Sequence, residues 1–382
     1  MTTLDSALAA AQAAFDNAQF QAALVGARAS SAIADPAQRI EALRLRAQSA
    51  FRLGELDEAA ESAQTLLAQL GDQAPTYPQR VAVLSVSVVA AGELALFDQA
   101  LGHLQQILST ATRSGSFEDY VRARGTAATC FALLGDPWAG QRLLSELLGL
   151  FQGLPSEAML EAATRNNHVA VCLRIARMAR DAGEGADFSE AIDHAEASLQ
   201  RVAEIARQTG DTRLAAFADV HGSEAALLRG EAASAAVRLQ GAAEHADAAG
   251  LSAHARFLRL MQAEALNAAA APERALTLLR EVDTGLREGH DIGLRIRCVQ
   301  QLQRACVATG AHAEALQHAA RARKIEQALL YKQLRAQSRY LRTRLELEHL
   351  YRYRASASRS ISSRPGQLTE PAPLDASPPA KR

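Results

Sequence analysis

Aromatic residues and long apolar runs are both scarce in this chain of 382 residues. Phe, Trp and Tyr make up 4% of it, whereas hydrophobic residues make up 48%, so Ala and Leu supply most of the apolar surface. Side chains of this kind favour closely packed helices over a sheet-based core. The most apolar run, residues 81–91, is about half of the roughly 20 residues that a membrane span needs. We therefore expect a helical protein without a membrane span.

The chain also lacks an excess of one charge and a cysteine framework. Its 41 Lys and Arg residues nearly balance 42 Asp and Glu residues, which excludes a strongly basic nucleic-acid coat. The four cysteines, at positions 130, 172, 298 and 306, have neither zinc-ligand nor redox spacing and are too few for a disulfide scaffold. The N-terminal residues lack the basic segment of a secretory signal. These features predict a cytoplasmic location.

A short pattern recurs eight times: a helix ends at a small residue, a short turn follows, and a second small residue lies in the first turn of the next helix. The helix-opening residues are Ala23, Ala59, Ala100, Gly140, Ala191, Ala235, Ala275 and Ala315. Five residues before each lie Ala18, Gly54, Ala95, Gly135, Ala186, Gly230, Ala270 and Gly310, where we expect a side chain to block the turn. Spacings of 36 to 51 residues predict eight hairpins, or about sixteen repeat helices.

This pattern resembles a tetratricopeptide repeat array, whose unit is a helix-turn-helix with Gly at the turn and Ala where the second helix packs on the first. The resemblance covers about residues 4–325. It implies an all-α, right-handed helical solenoid over residues 1–319, in which the first helix of each hairpin lines a concave groove. The period near 40 residues exceeds the family's usual 34 and implies longer helices.

Residues 320–355 contain no Gly or Pro and predict one long basic helix after the array, with a broad heptad stripe typical of a coiled coil. Its segment 338–348 resembles the connector of proteobacterial tetratricopeptide-repeat diguanylate cyclases. Their Gly-Gly-Asp/Glu-Glu-Phe signature is absent from the sequence, so the resemblance implies a sensor array and a connector without cyclic-dinucleotide synthesis. Residues 356–382 are rich in Ser and Pro and predict a disordered tail.

Motifs of enzyme chemistry are missing from the sequence. It has no phosphate-binding Gly-rich loop, no metalloprotease helix and no nucleophile elbow, so we expect no catalytic residue, cofactor or metal. The ten histidines are scattered, and the closest pair, His312 and His318, lies six residues apart, which is not a ligand spacing on a helix.

Polar stripes on the expected first helices are the candidate groove residues. They are Arg44, Gln48 and Arg52 in the second unit, Arg297, Gln300 and Arg304 in the last, and Asn167 and Arg174 in the fifth. Arginines spaced in this way can bind acidic groups, and similar repeat proteins use an Asn at this point to pair with a peptide backbone. Two alternatives stay open: the stripes are solvated faces, or Asn166 and Asn167 cap a helix or bond between helices.

The sequence predicts a non-enzymatic scaffold or sensor that binds a peptide or protein partner in its groove and regulates a bacterial signalling output. On the terminal helix, Leu334, Leu341 and Leu350 are apolar residues that need burial, by a partner or by a second copy in a homodimer. One alternative is a nucleic-acid-associated regulator that uses the basic helix and tail on phosphates. Another is an enzyme fragment that has lost its output domain.

Overall fold

The computed structural model describes residues 3–30, 35–152, 157–248, 250–286 and 290–362. Within them the chain forms sixteen α-helices and a short 3-10 turn at Ala74–Thr76, with no strand. The helices are α1 (Thr3–Asp16), α2 (Phe20–Ala29), α3 (Pro36–Leu53), α4 (Leu56–Gln69), α5 (Tyr77–Glu93), α6 (Phe97–Ser114), α7 (Phe117–Leu133), α8 (Pro137–Leu150), α9 (Ala158–Ala182), α10 (Gly185–Thr209), α11 (Thr212–Leu228), α12 (Ala232–Ala248), α13 (Ser252–Ala268), α14 (Pro272–Thr284), α15 (Ile292–Ala308) and α16 (His312–Ser362). They belong to two compact units, Met1–Ala336 and Gln337–Arg382.

Consecutive helices pack as hairpins, beginning with α1 and α2, and each hairpin packs on the next. The odd-numbered helices also contact one another in series, from α1 to α15, and therefore form the inner layer of the array. The expected all-α repeat architecture is confirmed. The long fifth hairpin, with 25 residues in each of α9 and α10, accounts for the largest spacing in the sequence.

The turn inside each hairpin has the same backbone geometry in all eight repeats. At Gly54 the φ angle is +72°, Gly54 N donates to Phe51 O, and Glu55 N donates to Ala50 O. This pair of hydrogen bonds is the Schellman motif, which ends a helix on a left-handed residue. The eight left-handed residues are Ala18, Gly54, Ala95, Gly135, Gly183, Gly230, Ala270 and Gly310.

Two details of the predicted turns are wrong. In the fifth hairpin the left-handed residue is Gly183, whereas Ala186 lies inside the first turn of α10. The expected reason, a side chain blocking the turn, also fails, because an added Cβ at Gly230 or Gly310 meets nothing within 4 Å. Glycine suits these turns because a positive φ is disfavoured for residues with a side chain.

The helix-opening small residues lie at the crossings of the two helices of each hairpin. Ala59, Ala235 and Ala275 have no exposed surface at all. A Cβ on Gly140 would lie 2.6 Å from the carbonyl oxygen of Ala128 on α7, so this crossing has room for glycine alone. Small residues therefore set how closely the paired helices approach.

The array turns back on itself within the unit Met1–Ala336. The end of α3 contacts the start of α13, where a Cβ added to Gly54 would lie 2.6 Å from the Cβ of Ala253. On α16, Gln333 Nε2 donates to Leu133 O at the end of α7 over 2.9 Å, and Ala336 is buried in the core of α5, α6 and α7. We call the α3–α13 contact the seam.

The long terminal helix differs in extent from the one expected at residues 320–355. It begins at His312, because its first turns are the second helix of the eighth hairpin, where Ala315 is buried. It continues to Ser362, because residues 356–362 contain no Pro or Gly. The rest of the expected tail, residues 363–382, lies outside the described residues.

Candidate functional site

Two arginines and two glutamates from four inner helices meet on the inner face of the array. Arg177 of α9 donates to Glu224 Oε1 of α11 over 2.5 Å and to Glu264 Oε2 of α13 over 3.2 Å. Arg297 of α15 donates to both oxygens of Glu264, from Nε and Nη2, over 2.9 Å each. We call these four residues the inner quartet.

The glutamates of the inner quartet are ionised although they are buried, with side chains 9% exposed at Glu224 and 4% at Glu264. Burial acts to raise the pKa of Glu264, but the positive charges of Arg297 and Arg177 outweigh it and lower that pKa. Burial likewise opposes the charged form of Arg297, yet Glu264 keeps the pKa of Arg297 above its usual value. The quartet is a balanced ionic network, and loss of one partner leaves a buried charge uncompensated, at a cost of about 3–5 kcal/mol.

A second charged group, the acid–arginine trio, consists of Glu93, Arg174 and Asp291. Glu93 ends α5, Arg174 lies on α9, and Asp291 caps α15 by accepting from Gly293 N at 2.7 Å and Leu294 N at 3.3 Å. Burial raises the pKa of Glu93 to about 8, and the charge of Asp291 adds to the effect while Arg174 opposes it. Burial also raises the pKa of Asp291 and lowers that of Arg174.

The trio differs from the quartet in how its members are paired. Among the described residues, no hydrogen bond or ion pair joins the guanidinium of Arg174 to Glu93 or Asp291, although all three influence one another electrostatically. Because the pKa of Glu93 is near 8, its carboxyl is mostly protonated at neutral pH. All three side chains are half-buried, so their polar atoms are within reach of solvent or of a ligand.

An aromatic strip borders the inner quartet. The guanidinium carbon of Arg297 lies 5.6 Å from the ring centroid of Phe257, a cation–π distance. The ring of His254 stacks on Phe257 at 6.4 Å and meets Phe217 edge-on at 6.2 Å. Burial lowers the pKa of His254, and the charge of His221 adds to this, so its ring is neutral at neutral pH. The inner face thus offers apolar surface beside its charges.

Two of the groove residues predicted from the sequence lie in these clusters: Arg297 in the inner quartet and Arg174 in the trio. Asn167 lies seven residues before Arg174 on α9, with its amide nitrogen 3.7 Å from the position of a Cβ on Gly125 of α7. It is therefore on the side of α9 that meets the preceding inner helix. Its role in peptide binding stays a prediction.

The stripe on α3 is a separate polar network. Arg44 donates to Gln48 Oε1 on its own helix and to Gln12 Oε1 on α1, each over 2.7 Å, and pairs with Glu41. Arg52 is exposed at the end of α3. The structure brings Arg44 and Gln48 together, but not with the clusters on α9 to α15.

The remaining predicted residues lie after Arg297 on α15 and along α16. Gln300 Nε2 donates to Glu326 Oε1 of α16 over 2.6 Å, so it joins two helices of the last hairpin. Arg304 is exposed. On α16, Leu334 is 56% and Leu341 is 55% exposed, whereas the side chain of Leu350 lies outside the described residues. Binding by these residues stays a prediction.

Sequence reasoning missed Arg177, Glu224 and Glu264, as well as both acids of the trio. One signal was available: Glu224 and Glu264 are 40 residues apart, which is the repeat period, and so occupy matching places on successive inner helices. A charged residue repeated at the array period on inner helices predicts a shared face.

A further buried polar group joins α8, α9 and α10. His168 Nδ1 lies 2.9 Å from Ser198 Oγ, and its Nε2 lies 3.3 Å from Ser145 Oγ and 3.6 Å from Cys172 Sγ. Burial lowers the pKa of His168 to about 4, so the ring is neutral at neutral pH. A neutral histidine with these partners satisfies buried hydroxyl groups between helices.

In the part of the chain that the structure describes, no helix combines the length and the apolar character of a membrane span. No family model and no characterised protein matches the sequence. Among solved structures, the chain is similar to a Rap protein complexed with competence and sporulation factor, at 15% identity and a TM-score of 0.49, over 76% of this chain and 74% of that one. It is also similar to a tetratricopeptide repeat protein from Parabacteroides merdae ATCC 43184, at 12% identity and a TM-score of 0.42, over 77% and 98%. The described part of this chain has eight stacked helical hairpins of its own, packed pairwise in the manner of tetratricopeptide repeats.

Proposed function

We propose that the chain is a non-catalytic scaffold that binds an extended peptide segment of a partner protein along its inner face. The observation that carries this proposal is the acid–arginine trio, where Arg174 faces two carboxyl groups without bonding to either among the described residues. A peptide can pair with these groups, because its backbone carbonyls accept from the Arg174 guanidinium or the protonated Glu93 carboxyl, and its amides donate to carboxyl oxygens.

The neighbouring features suit the same kind of ligand. The inner quartet holds α9, α11, α13 and α15 in fixed positions, and preorganised helices lower the entropic cost of binding. The aromatic strip of Phe217, His254 and Phe257 offers apolar contacts to peptide side chains. The proposed specificity therefore combines a polar centre at Arg174 with an apolar border.

The terminal helix is proposed to carry the output of the scaffold. Up to Ala336 it uses one face, with Leu329 and Ala336, to pack on the array, and it exposes Leu330 and Leu334 on another. The connector resemblance supports regulation of a signalling partner through this exposed face. Peptide binding on the inner face would act through the last hairpin to change the access of the signalling partner to α16.

The test is selection of peptides against the immobilised full-length protein, followed by affinity measurement with Arg174→Gln and with Arg180→Gln as a matched control. Arg180 lies on the same helix, is exposed, and pairs with its neighbour Asp181. We expect Arg174→Gln to weaken peptide binding by roughly tenfold or more, because a hydrogen bond to a charged group contributes about 1.5–3 kcal/mol. Equal affinities for the two variants would contradict the proposal.

A second candidate function, nucleic-acid binding, rests on the exposed basic surface of α16. Arg323, Lys324, Lys332 and Arg335 are exposed there, next to Tyr331, which is 66% exposed. Such a surface can contact phosphates and stack on a base. Titration of a single-stranded and a double-stranded oligonucleotide distinguishes the two functions: salt-sensitive binding that is lost in Lys332→Glu with Arg335→Glu supports this candidate over the peptide scaffold.

A further inference from the structure

Three potential metal ligands of different types converge where α15 turns into α16. Cys306 lies near the end of α15, and Glu314 and His318 lie one helical turn apart in the first part of α16. The sulfur of Cys306, a carboxylate oxygen of Glu314 and a ring nitrogen of His318 lie within 4.8 Å of one another. The proposed scaffold function does not use these residues.

The separations fit a tetrahedral ion. Around zinc, with bonds of about 2.0–2.3 Å, neighbouring ligand atoms lie roughly 3.3–3.6 Å apart. His318 Nε2 and Glu314 Oε1 are 3.5 Å apart. The sulfur of Cys306 lies within 4.8 Å of both atoms, so it would have to move by at most about 1.2 Å to reach that spacing.

The buried ring nitrogen of His318 makes no hydrogen bond of normal geometry. His318 Nε2 is buried and has no hydrogen-bond partner among the described residues. It lies 3.5 Å from Glu314 Oε1, an ion-pair distance, and a metal ion between the two atoms would be bound by both. Glu314 is 36% exposed and leaves a path from solvent to the cluster.

The group also has an outer partner, and binding an ion at Cys306 requires the loss of a proton. Arg280 of α14 donates from Nη2 to both oxygens of Glu314 over 3.0 Å each, in the manner of residues that orient a ligating carboxylate. Burial raises the pKa of the Cys306 thiol, with the charge of Glu314 adding to it and Arg280 opposing it. A bound ion must therefore displace the thiol proton to solvent, since the thiolate is the ligand.

We propose that Cys306, Glu314 and His318 form a Zn²⁺ site, with water in the fourth position, that fixes the start of α16 to α15. A set of thiolate, imidazole and carboxylate suits zinc better than it suits Mg²⁺ or Ca²⁺, which prefer oxygen ligands alone. The sequence did not reveal it, because the ligands come from two helices joined by a turn and only Glu314 and His318 have a helical spacing.

Cobalt titration of the full-length protein, purified with chelator and kept reduced, tests the site. We expect one equivalent of Co²⁺ to give a thiolate-to-cobalt charge-transfer band and tetrahedral d–d bands, both displaced by Zn²⁺. The band should vanish in Cys306→Ser, and affinity should fall at least tenfold in His318→Ala. Zinc should also raise the melting temperature of the parent protein and not that of Cys306→Ser.

Cys172→Ser is the control, because Cys172 with His168 is another close Cys–His pair, at 3.6 Å. Retention of the cobalt band in this variant is expected. The proposal fails if no charge-transfer band forms, or if the band persists in Cys306→Ser and disappears in Cys172→Ser.

Discussion

Glu93 shows how a single inner-face carboxyl couples the stability of the fold to pH. Its pKa is about 8 in the folded chain and near 4.5 when unfolded. Between these values the folded state holds a proton that the unfolded state has released. The free energy of unfolding therefore falls as pH rises through this window. Glu264 acts in the opposite sense, because its pKa is lowered and its contribution is lost only as pH falls into the acid range.

We predict that Glu93→Gln removes part of the loss of stability between pH 6 and pH 8. Glutamine keeps the shape of the protonated acid and has no charge to bury beside Asp291 and Arg174. Thermal melts at the two pH values measure the effect: the melting temperature of the parent should fall more than that of the variant.

Glu190→Gln, at an exposed position of α10, is the control and should follow the parent. If the parent and Glu93→Gln lose the same amount of stability between pH 6 and pH 8, Glu93 is already ionised in the folded protein.

At the scale of helices, close approach in a hairpin depends on a few positions without a side chain. In α8, Gly140 faces the carbonyl oxygen of Ala128, while Gly149 on the same helix is exposed and has nothing within 4 Å of an added Cβ. Gly140 lies in the first turn of α8 and Gly149 in its last turn, and the two differ in what lies opposite.

We predict opposite effects of the same substitution at these two sites. Gly140→Ala should destabilise the protein by about 1–3 kcal/mol, because the methyl group forces α7 and α8 apart. Gly149→Ala should stabilise it by about 0.5–1 kcal/mol, because alanine favours helix and meets no neighbour. Chemical denaturation of both variants measures the difference, and similar values for the two would show that the α7–α8 crossing is looser than the structure indicates.

The sequence predicted a turn correctly where a single residue determines the backbone conformation of that turn. Seven of the eight turns were located correctly because each needs a left-handed residue, and Gly or Ala stood at the repeated place. The fifth turn was misplaced because Ala186 fitted the repeated spacing, five residues before Ala191. The left-handed residue is instead Gly183, which is followed by a second glycine at position 185. The quartet and trio escaped prediction because their members lie more than 30 residues apart and meet only through the curvature of the array.

At the scale of the whole unit, curvature brings α3 against α13 at the seam. No single hairpin determines this contact, because it results from the small rotations between successive repeats, added over five repeats. At the seam the added Cβ of Gly54 meets Ala253, whereas Gly230, also at positive φ, has open space around it. Comparing substitutions at Gly54 and Gly230 therefore separates the free-energy cost of a side chain at positive φ from the cost of the clash with Ala253.

We predict that Gly54→Ala destabilises the unit by about 1–3 kcal/mol more than Gly230→Ala. Both variants bear the backbone cost of alanine at positive φ, but only Gly54→Ala also clashes with Ala253. Adding Ala253→Gly should recover much of the extra loss in Gly54→Ala and none in Gly230→Ala, as a double-mutant cycle measures. Equal costs without recovery would place α3 and α13 apart in solution.

The seam also bears on how the array folds. In an open solenoid each repeat contacts only its neighbours, so the ends can unravel independently and folding can start at any repeat. The seam joins Gly54 and Ala253, which are 199 positions apart, and the loop between them must close before the contact forms. Contacts over such separations slow folding. The unit therefore acquires the cooperativity of a closed domain, in which loss of one end weakens hairpins far along the chain.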